Sequence, residues 1–423
     1  MQMIINEMIL KNFLSFRNLE YKPAPNINII FGENGSGKTN ILKVFKFINE
    51  IFSKATINYQ KKTTTYNEYP YEQEQQNQNI YEKYKTYNSN EPIEINLKGK
   101  YQGRNFEYYI SIKENDYIMK EYLKLFENNR GKPRELFLKE GSQLEVKLFK
   151  NKKFNNIIEK SITINNNISF ISSFRFSNNE LNEYSTIYEE KNEQEEPALN
   201  IIEGLLKNIF IEGEYREQHN TKDNDNLATK AIFFNKMNDN LRELEEKYLN
   251  NAEGFSSFIQ KLDDFSRGTV VKRTIPDERN TILELYHKKL IDGEELEIPF
   301  SLESNGTKKF IAFFNSINKA KKGYLSIFDE FNAYFHDNLV EKGISLLKRE
   351  CSENQFFITT HNLNILNYSF LDNEEKQIII RNISLGNTQI RDLKGTNLRE
   401  NKEHYYKLGK YGGAPSTNDI STS

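Results

Sequence analysis

The chain has 423 residues, enough for two or three domains or one large interrupted one. Its 58 basic residues balance 60 acidic ones, so net charge exerts no global pull toward nucleic acid or an anionic membrane, although a local patch does not show in totals. The single cysteine, Cys351, excludes an internal disulfide, and no apolar run reaches the length of a membrane span. The first ten residues include Asn6 and Glu7 and lack the charged-then-apolar pattern of a signal peptide, so a reducing, cytoplasmic setting is the expectation.

Met3-Ile-Ile and Met8-Ile-Leu read as strands, and so does the apolar, β-branched run from Ile27 to Phe31. Residues 32–39 then read Gly-Glu-Asn-Gly-Ser-Gly-Lys-Thr, which meets G-x-x-x-x-G-K-[ST] at every fixed position. From Asn40 onward apolar residues recur at helical spacing. Strand, glycine turn and helix are what phosphate binding needs. Glycines let successive N–H groups curl toward one anion, and the helix start adds unpaired N–H groups and a positive dipole end. Gly32, Asn34, Gly35, Ser36 and Gly37 would form the cradle, Lys38 would reach the β- and γ-phosphates, and the Thr39 hydroxyl would ligate Mg²⁺.

Residues 55–92 are dense in Tyr, Gln, Asn, Thr and Lys. Interleaved tyrosines and lysines could stack on single-stranded nucleic acid, but a polar surface insertion is the plainer reading and is preferred. From Ile93 to Ile168 alternation in Ile93-Glu-Ile-Asn-Leu and Phe106-Glu-Tyr-Tyr-Ile-Ser-Ile, with Gly and Asn turns between runs, predicts an antiparallel meander. Residues 178–265 read as helical. The acidic run Glu189–Glu196 is a solvated loop, and Pro197 opens an amphipathic stretch with Leu199, Ile202, Leu206 and Ile209 on one face. Ala231–Tyr248 and Phe255–Phe265 read as two further helices, and the charged Leu241–Tyr248 segment is too short for a long coiled coil.

Residues 281–392 return to an α/β pattern that carries three polar punctuation points. Tyr324-Leu-Ser-Ile-Phe is a strand ending in Asp329 and Glu330, where an acid can hold Mg²⁺ and its neighbour can polarise a water. Gln355-Phe-Phe-Ile-Thr-Thr is a strand delivering His361, which could sense a γ-phosphate. Ser304, Asn305 and Gly306 precede a helix with apolar Phe310, Ile311 and Phe314. They make a second anion-binding helix start, or an ordinary cap with Ser304 as the capping residue.

In this order, the segments resemble an ABC-type ATPase of the RecF, SMC and Rad50 branch. More closely, the chain is similar to the AAA15/AAA21 ATPases, which overlap with abortive-infection and OLD-type ATPases. The residues that carry the resemblance begin with Asn12-Phe-Leu-Ser-Phe-Arg, the phosphate loop and Tyr286-His-Lys. They continue through Ser304-Asn-Gly-Thr-Lys, Asp329-Glu, Thr359-Thr-His and the tail Lys410-Tyr-Gly-Gly-Ala-Pro. It is strong over residues 1–52 and 281–415 and weak between. It implies an α/β fold: an ABC-type P-loop ATPase head with an antiparallel β-meander lobe and a helical insertion. The expected domains are 1–170, with its polar insertion at 55–92; a helical insertion at 175–270; a second ATPase lobe at 281–393; and a tail at 394–423.

The resemblance also assigns roles. Lys38 and Thr39 bind phosphate and Mg²⁺, with Lys38 counted among the catalytic residues. Ser304 to Thr307 stand at the ABC signature and would cap the ATP of a second copy. Asp329 takes the Walker B role, Glu330 the general base and His361 the switch histidine. Asn305 replaces the first signature glycine, the D-loop aspartate position falls on His336, and no convincing Q-loop glutamine exists, Gln143 being a poor candidate.

The resemblance implies a cytosolic ATPase that closes head to tail around two ATP molecules and hydrolyses them slowly. The leading expectation is a sensor or regulator in bacterial anti-phage defence, similar to the ATPase components of the Septu and PARIS systems. It would form a homo-oligomer and act on a separately encoded effector such as a nuclease. The segment after His361 is shorter than a TOPRIM fold and shows no His-Asn-His pattern, so any effector is expected to be a separate polypeptide. The runner-up is a RecF- or Rad50-like DNA-repair ATPase that acts on nucleic acid, and a stand-alone P-loop NTPase or kinase is the third reading.

Overall fold

The computed structural model describes residues 2–33, 35–63, 79–126, 132–148, 166–173 and 241–411 except 278–279, 334, 383–386 and 397–399, together with 152, 155–156, 159, 201–202, 204–205, 209–211, 227 and 232–235. Asn34, the acidic run Glu189–Glu196, Leu199, Leu206 and the Gly-Gly-Ala-Pro of the tail lie outside the described residues. The chain divides into two compact units. One comprises Met1–Ile209, Gly323–Asp329 and Glu353–Ser423; the other comprises Phe210–Lys322 and Glu330–Ser352.

The first unit contains two sheets. The strands of the first are β1 (Met3–Phe13), β2 (Phe16–Tyr21), β4 (Ile93–Tyr101), β5 (Arg104–Lys113), β6 (Tyr117–Phe126), β7 (Arg134–Glu140) and β8 (Gln143–Val146). They form a seven-stranded antiparallel sheet in the order β2-β1-β4-β5-β6-β7-β8. The expected meander is therefore present from β4 to β8, and it joins the two N-terminal strands in one sheet. The two N-terminal apolar runs, read as separate strands, form one strand with a register shift between Ile5 and Glu7.

The second sheet is built from β3 (Ile27–Phe31), β14 (Leu325–Phe328), β15 (Phe356–Thr360), β16 (Lys376–Asn382) and β17 (Asn387–Asp392). Its order is β17-β16-β3-β15-β14, with β9 (Ile209–Ile211) at its far edge where the chain leaves the unit. Strands β14, β15, β3 and β16 run parallel, and β17 pairs antiparallel with β16. β3 and β15 are buried at every position, as strands covered on both faces must be. Helix α1 (Lys38–Thr63) serves both sheets. Phe45 packs on Phe357 of β15 at 5.1 Å between ring centres, while Phe52 packs on Tyr108 of β5 at 5.6 Å. The short α2 (Ile80–Tyr84) lies within the polar 55–92 segment yet buries Tyr81 and Tyr84, with Tyr84 stacked on Phe13.

The second unit holds a smaller antiparallel sheet. Its strands are β10 (Ile232–Asn235), β11 (Ser266–Asp277), β12 (Asn280–Ile291) and β13 (Glu294–Pro299). They take the order β10-β12-β11, with β13 also paired to β12. Three helices accompany it: α3 (Leu241–Leu262), α4 (Asn305–Lys321) and α5 (Asp337–Glu350). A phenylalanine cluster joins α3 to α4: Phe255 and Phe258 each meet Phe314, at 5.4 and 5.3 Å.

This corrects the helical reading of 178–265. Ile232-Phe-Phe is a strand, because β12 supplies its partner some fifty residues later, a pairing local periodicity cannot reveal. The two helices read at 231–248 and 255–265 are one helix, α3, running through Gly254. A β-carbon there would lie 3.2 Å from the Phe314 ring, so that glycine permits close helix packing and does not end a helix. Ile209 lies in β9 and not on a helix face, while Ile201, Ile202 and Leu205 are buried.

Candidate functional site

Three neighbouring parallel strands deliver three expected residues at their C-terminal ends. β3 ends at the phosphate loop, β15 one residue before His361, and β14 one residue before Asp329. Adjacent strands lie about 4.8 Å apart, so the strand order brings the three ends side by side at the sheet's carboxyl edge. β3 is central because β15 pairs with it on one side and β16 on the other.

The loop is built for an anion. Gly35 and Gly37 have φ of +75° and +104°, which side chains resist. A β-carbon on Gly32 would sit 2.6 Å from the Ser36 hydroxyl, and one on Gly37 2.7 Å from the Ser15 hydroxyl. Ser36 Oγ and Glu33 Oε1 are buried with no hydrogen-bond partner among the described residues. An orphaned hydroxyl beside a helix start suits a phosphate oxygen, which can accept its proton. The Lys38 ammonium, 6% exposed, donates to the carbonyls of Gly32 at 2.7 Å and Glu33 at 2.8 Å, which holds it over the loop. Ser15, in the Asn12–Arg17 turn, accepts a bond from Asn40 on α1 at 3.0 Å. That turn therefore braces the start of the helix that follows the loop.

Asp329 and Thr39 come together. The Thr39 hydroxyl donates to Asp329 Oδ1 at 3.2 Å, and the buried Thr359 hydroxyl donates to the same oxygen at 2.5 Å. A hydroxyl and a carboxylate, one from the loop and one from β14, are the sparse protein ligands that Mg²⁺ accepts alongside phosphate and water. The residues present therefore fit that ion. Among the described residues no cluster of three or more His, Cys, Asp or Glu competes as a metal site. Thr359 stands in a motif that carries the resemblance, yet its sequence position attaches no role to it; only strand order shows that it braces Asp329.

His361 is exposed beyond β15, and the Thr360 hydroxyl accepts the Asn362 N–H at 3.0 Å to shape the turn after it. The short α6 (Lys402–Lys407) docks on the following turn, Leu363–Asn367, where Asn367 Oδ1 accepts the Lys402 N–H at 2.9 Å. Burial, assisted by the Glu33 carboxylate, pushes the Tyr406 hydroxyl up to about 12. The tail thus packs beside the loop and the His361 turn.

The other expected residues lie on the second unit. Ser304 is the N-cap of α4, its hydroxyl accepting the Thr307 N–H at 3.1 Å, so it performs the capping role in this structure. Ser304 and Asn305 are exposed, and Gly306 sits in the first turn. Glu330 is exposed and has φ +51°, the left-handed region, at the point where the second unit resumes. His336, at the D-loop position, precedes α5 and makes no side-chain cap. Gln143, weighed for the Q-loop, opens β8 on the exposed edge of the meander, in the first unit.

Among the described residues no helix is long and apolar enough to cross a membrane. The family model described as "AAA domain, putative AbiEii toxin, Type IV TA system" matches residues 27–367. The DNA replication and repair protein RecF of Shewanella sp. (strain W3-18-1) is 50% identical over 40 residues, which are 9% of this chain and 11% of that protein. The chain therefore spans about a tenth of the length of the curated relatives it matches. Among solved structures, an SMC head bound to the C-terminal winged-helix domain of ScpA covers 92% of this chain and 97% of its own, at 14% identity and TM-score 0.49. The recombination mediator protein RecF of the RecFOR pathway covers 93% and 98%, at 11% identity and TM-score 0.40.

Proposed function

The chain belongs to the AAA21 family of ABC-type P-loop ATPases, and on that premise we propose that it hydrolyses ATP slowly at a site shared by two copies and thereby regulates a separate effector in anti-phage defence. The observation that carries the catalytic half is the joined edge of β3, β15 and β14. It offers an orphaned Ser36 hydroxyl, a poised Lys38 and a Thr39–Asp329 pair on one rim.

Gly32, Asn34, Gly35, Ser36 and Gly37 would wrap the phosphates, and Lys38 would offset charge on the β- and γ-oxygens. Thr39 and Asp329 would hold Mg²⁺, which when bound supplies charge neutralisation for the phosphates. Glu330 would take the proton of the attacking water and His361 would register the γ-phosphate. Ser304, Asn305 and Gly306, on an exposed helix start, would cap the nucleotide of the second copy.

The family description, which names a putative toxin and a TA system, supports a defence role; the separate effector, such as a nuclease, is part of the proposal. A second reading, a RecF-like ATPase acting on DNA, is favoured by the 50% identity to RecF over 40 residues.

Light scattering on Glu330→Gln with and without Mg-ATP, with the ultraviolet absorbance ratio recorded, tests these readings. An ATP-dependent pair free of nucleic acid is the expected result. Nucleic acid eluting with the protein, lost steeply as salt rises, would transfer the assignment to the DNA reading. A monomer indifferent to ATP would overturn the shared site.

A further inference from the structure

Behind the exposed start of α4 lies a buried polar network that the nucleotide site does not use. Glu303, the residue before the Ser304 cap, turns its side chain away from the exposed helix start and back onto β12. Its Oε1 meets His287 Nδ1 at 2.8 Å, and its Oε2 accepts the Lys289 ammonium at 2.9 Å. The other ring nitrogen, His287 Nε2, meets the Ser266 hydroxyl at 2.9 Å. His287 is 0% exposed, Ser266 4% and Glu303 8%. One arrangement of protons satisfies every partner: Gly268 N–H donates to Ser266 Oγ, Ser266 O–H to Nε2, and Nδ1–H to Glu303.

The sequence builds this network through two local devices. His287 and Lys289 stand two apart on β12, so both face one side. A register shift between Ser266 and Thr269, closed by Gly268 at φ +95°, turns Ser266 onto the ring. A Ser-His-Glu relay is also a hydrolase arrangement, but a fully buried histidine leaves no room for a substrate.

We propose that Glu303, clamped by His287 and Lys289, is a positioning residue that fixes Ser304 and the first turn of α4 for the nucleotide of the second copy. This rests on the proposal of an ATP site shared by two copies. A short 3₁₀ turn (Phe300–Leu302) leads into the site, and the Glu303 N–H closes it onto the Phe300 carbonyl at 3.2 Å. The cap's entry is therefore held by backbone on one side and by a carboxylate clamp on the other. Freeing the clamp would let the Ser304–Gly306 segment wander by the ångström or so that costs about 10²-fold in an aligned site. The phosphate loop belongs to the other compact unit and needs no part of the clamp to bind ATP.

The test places Glu303→Ala and Glu303→Gln separately in the Glu330→Gln protein and measures two quantities. Affinity of the monomer for a fluorescent ATP analogue should stay within about twofold. The ATP-dependent pairing constant should weaken at least tenfold in Glu303→Ala and by less in Glu303→Gln, which keeps shape and one acceptor. Thermal melting checks that each variant folds, and if Glu303→Ala does not, Glu303→Gln and His287→Gln carry the comparison. Equal pairing by parent and variants overturns the positioning role alone. Nucleotide affinity falling in step with pairing also overturns it, since the clamp would then serve the fold at large. A parent that never pairs overturns the shared site itself, and this inference with it.

Discussion

Replacing Thr359 by valine should raise the Mg²⁺ concentration needed for tight nucleotide binding by about tenfold. The substitution preserves shape at a position that is 0% exposed and removes only the hydroxyl that donates to Asp329 Oδ1 at 2.5 Å. A hydrogen bond to a charged group contributes about 1.5–3 kcal/mol. At ~1.4 kcal/mol per factor of ten, its loss corresponds to about 10- to 150-fold. Asp329 is exposed, so water takes up the vacated lone pair and the lower end applies. Thr39 still donates to the same oxygen, but without its brace the carboxylate is free to rotate away from the loop. The assay is a Mg²⁺ titration of fluorescent ATP-analogue binding at fixed protein concentration, with a thermal melt as control. A half-saturating Mg²⁺ concentration within twofold of wild type, in a protein that melts normally, would refute the bracing role. A collapsed melt would instead mean that the hydroxyl serves the strand.

Gly37→Ala should weaken nucleotide binding more than tenfold by equilibrium titration, since its φ of +104° disfavours a side chain and the added carbon would lie 2.7 Å from the Ser15 hydroxyl; Ser15→Gly should recover only part of the loss. Gln355→Ala should destabilise the first unit by about 2 kcal/mol in urea, because it strips buried partners from the Ile5 N–H and the Ile5 carbonyl, both at 2.8 Å, and each orphan costs at least ~1 kcal/mol, while the Ala24 carbonyl keeps the Asn28 amide at 3.0 Å. For Glu303, burial pushes the carboxyl up, but His287 and Lys289 overcome it and hold it at about 2, below its ordinary 4.5. Its folded value is depressed, so its stabilisation is complete above about 4.5 and is lost as pH falls through about 2. The urea midpoint gap between wild type and Glu303→Gln should therefore hold steady above pH 5 and narrow below it; a gap independent of pH down to 2 would remove the ion pair from the account.

How much a sequence reveals depends on how far apart the interacting residues lie. The phosphate loop was legible because its chemistry is local: eight consecutive residues contain both the cradle and the lysine. The meander was legible because alternation needs only neighbours, and β4 to β8 pair in chain order. The strand order β16-β3-β15-β14 was not legible, since Phe31 pairs with Thr360 and Ile378 across more than three hundred residues. Without that order Thr359 is merely a strand residue. The Glu303 clamp was hidden for another reason. It depends on a register shift at Gly268, and pattern reading takes no account of a strand's changes of face. The gap left between the two expected helices was no gap: α3 runs through it, and Gly254 there lets the Phe314 ring approach closely, a contact that periodicity does not show.

The boundary between the compact units falls on the peptide bond joining Asp329 to Glu330. Sequence reading treats Asp-Glu as one motif, yet the two residues have different allegiances. Asp329 is tied by hydroxyls to the loop and to β15. Glu330 begins the segment that continues into Phe331, whose ring packs on Phe313 of α4 at 5.2 Å. Phe310 of the same helix stacks on Phe335 at 5.1 Å. The segment that follows the expected base is therefore packed on the signature helix, while the expected metal ligand is hydrogen-bonded to the phosphate loop. A left-handed φ of +51° at a non-glycine residue costs about 1 kcal/mol and persists only where surroundings impose it. Loosening the aromatic contact with Phe331→Ala should thus lower turnover through Glu330 while leaving ATP affinity at the loop within about twofold. If affinity falls as far as turnover, the two residues act as one motif after all, and the division between units has no catalytic meaning.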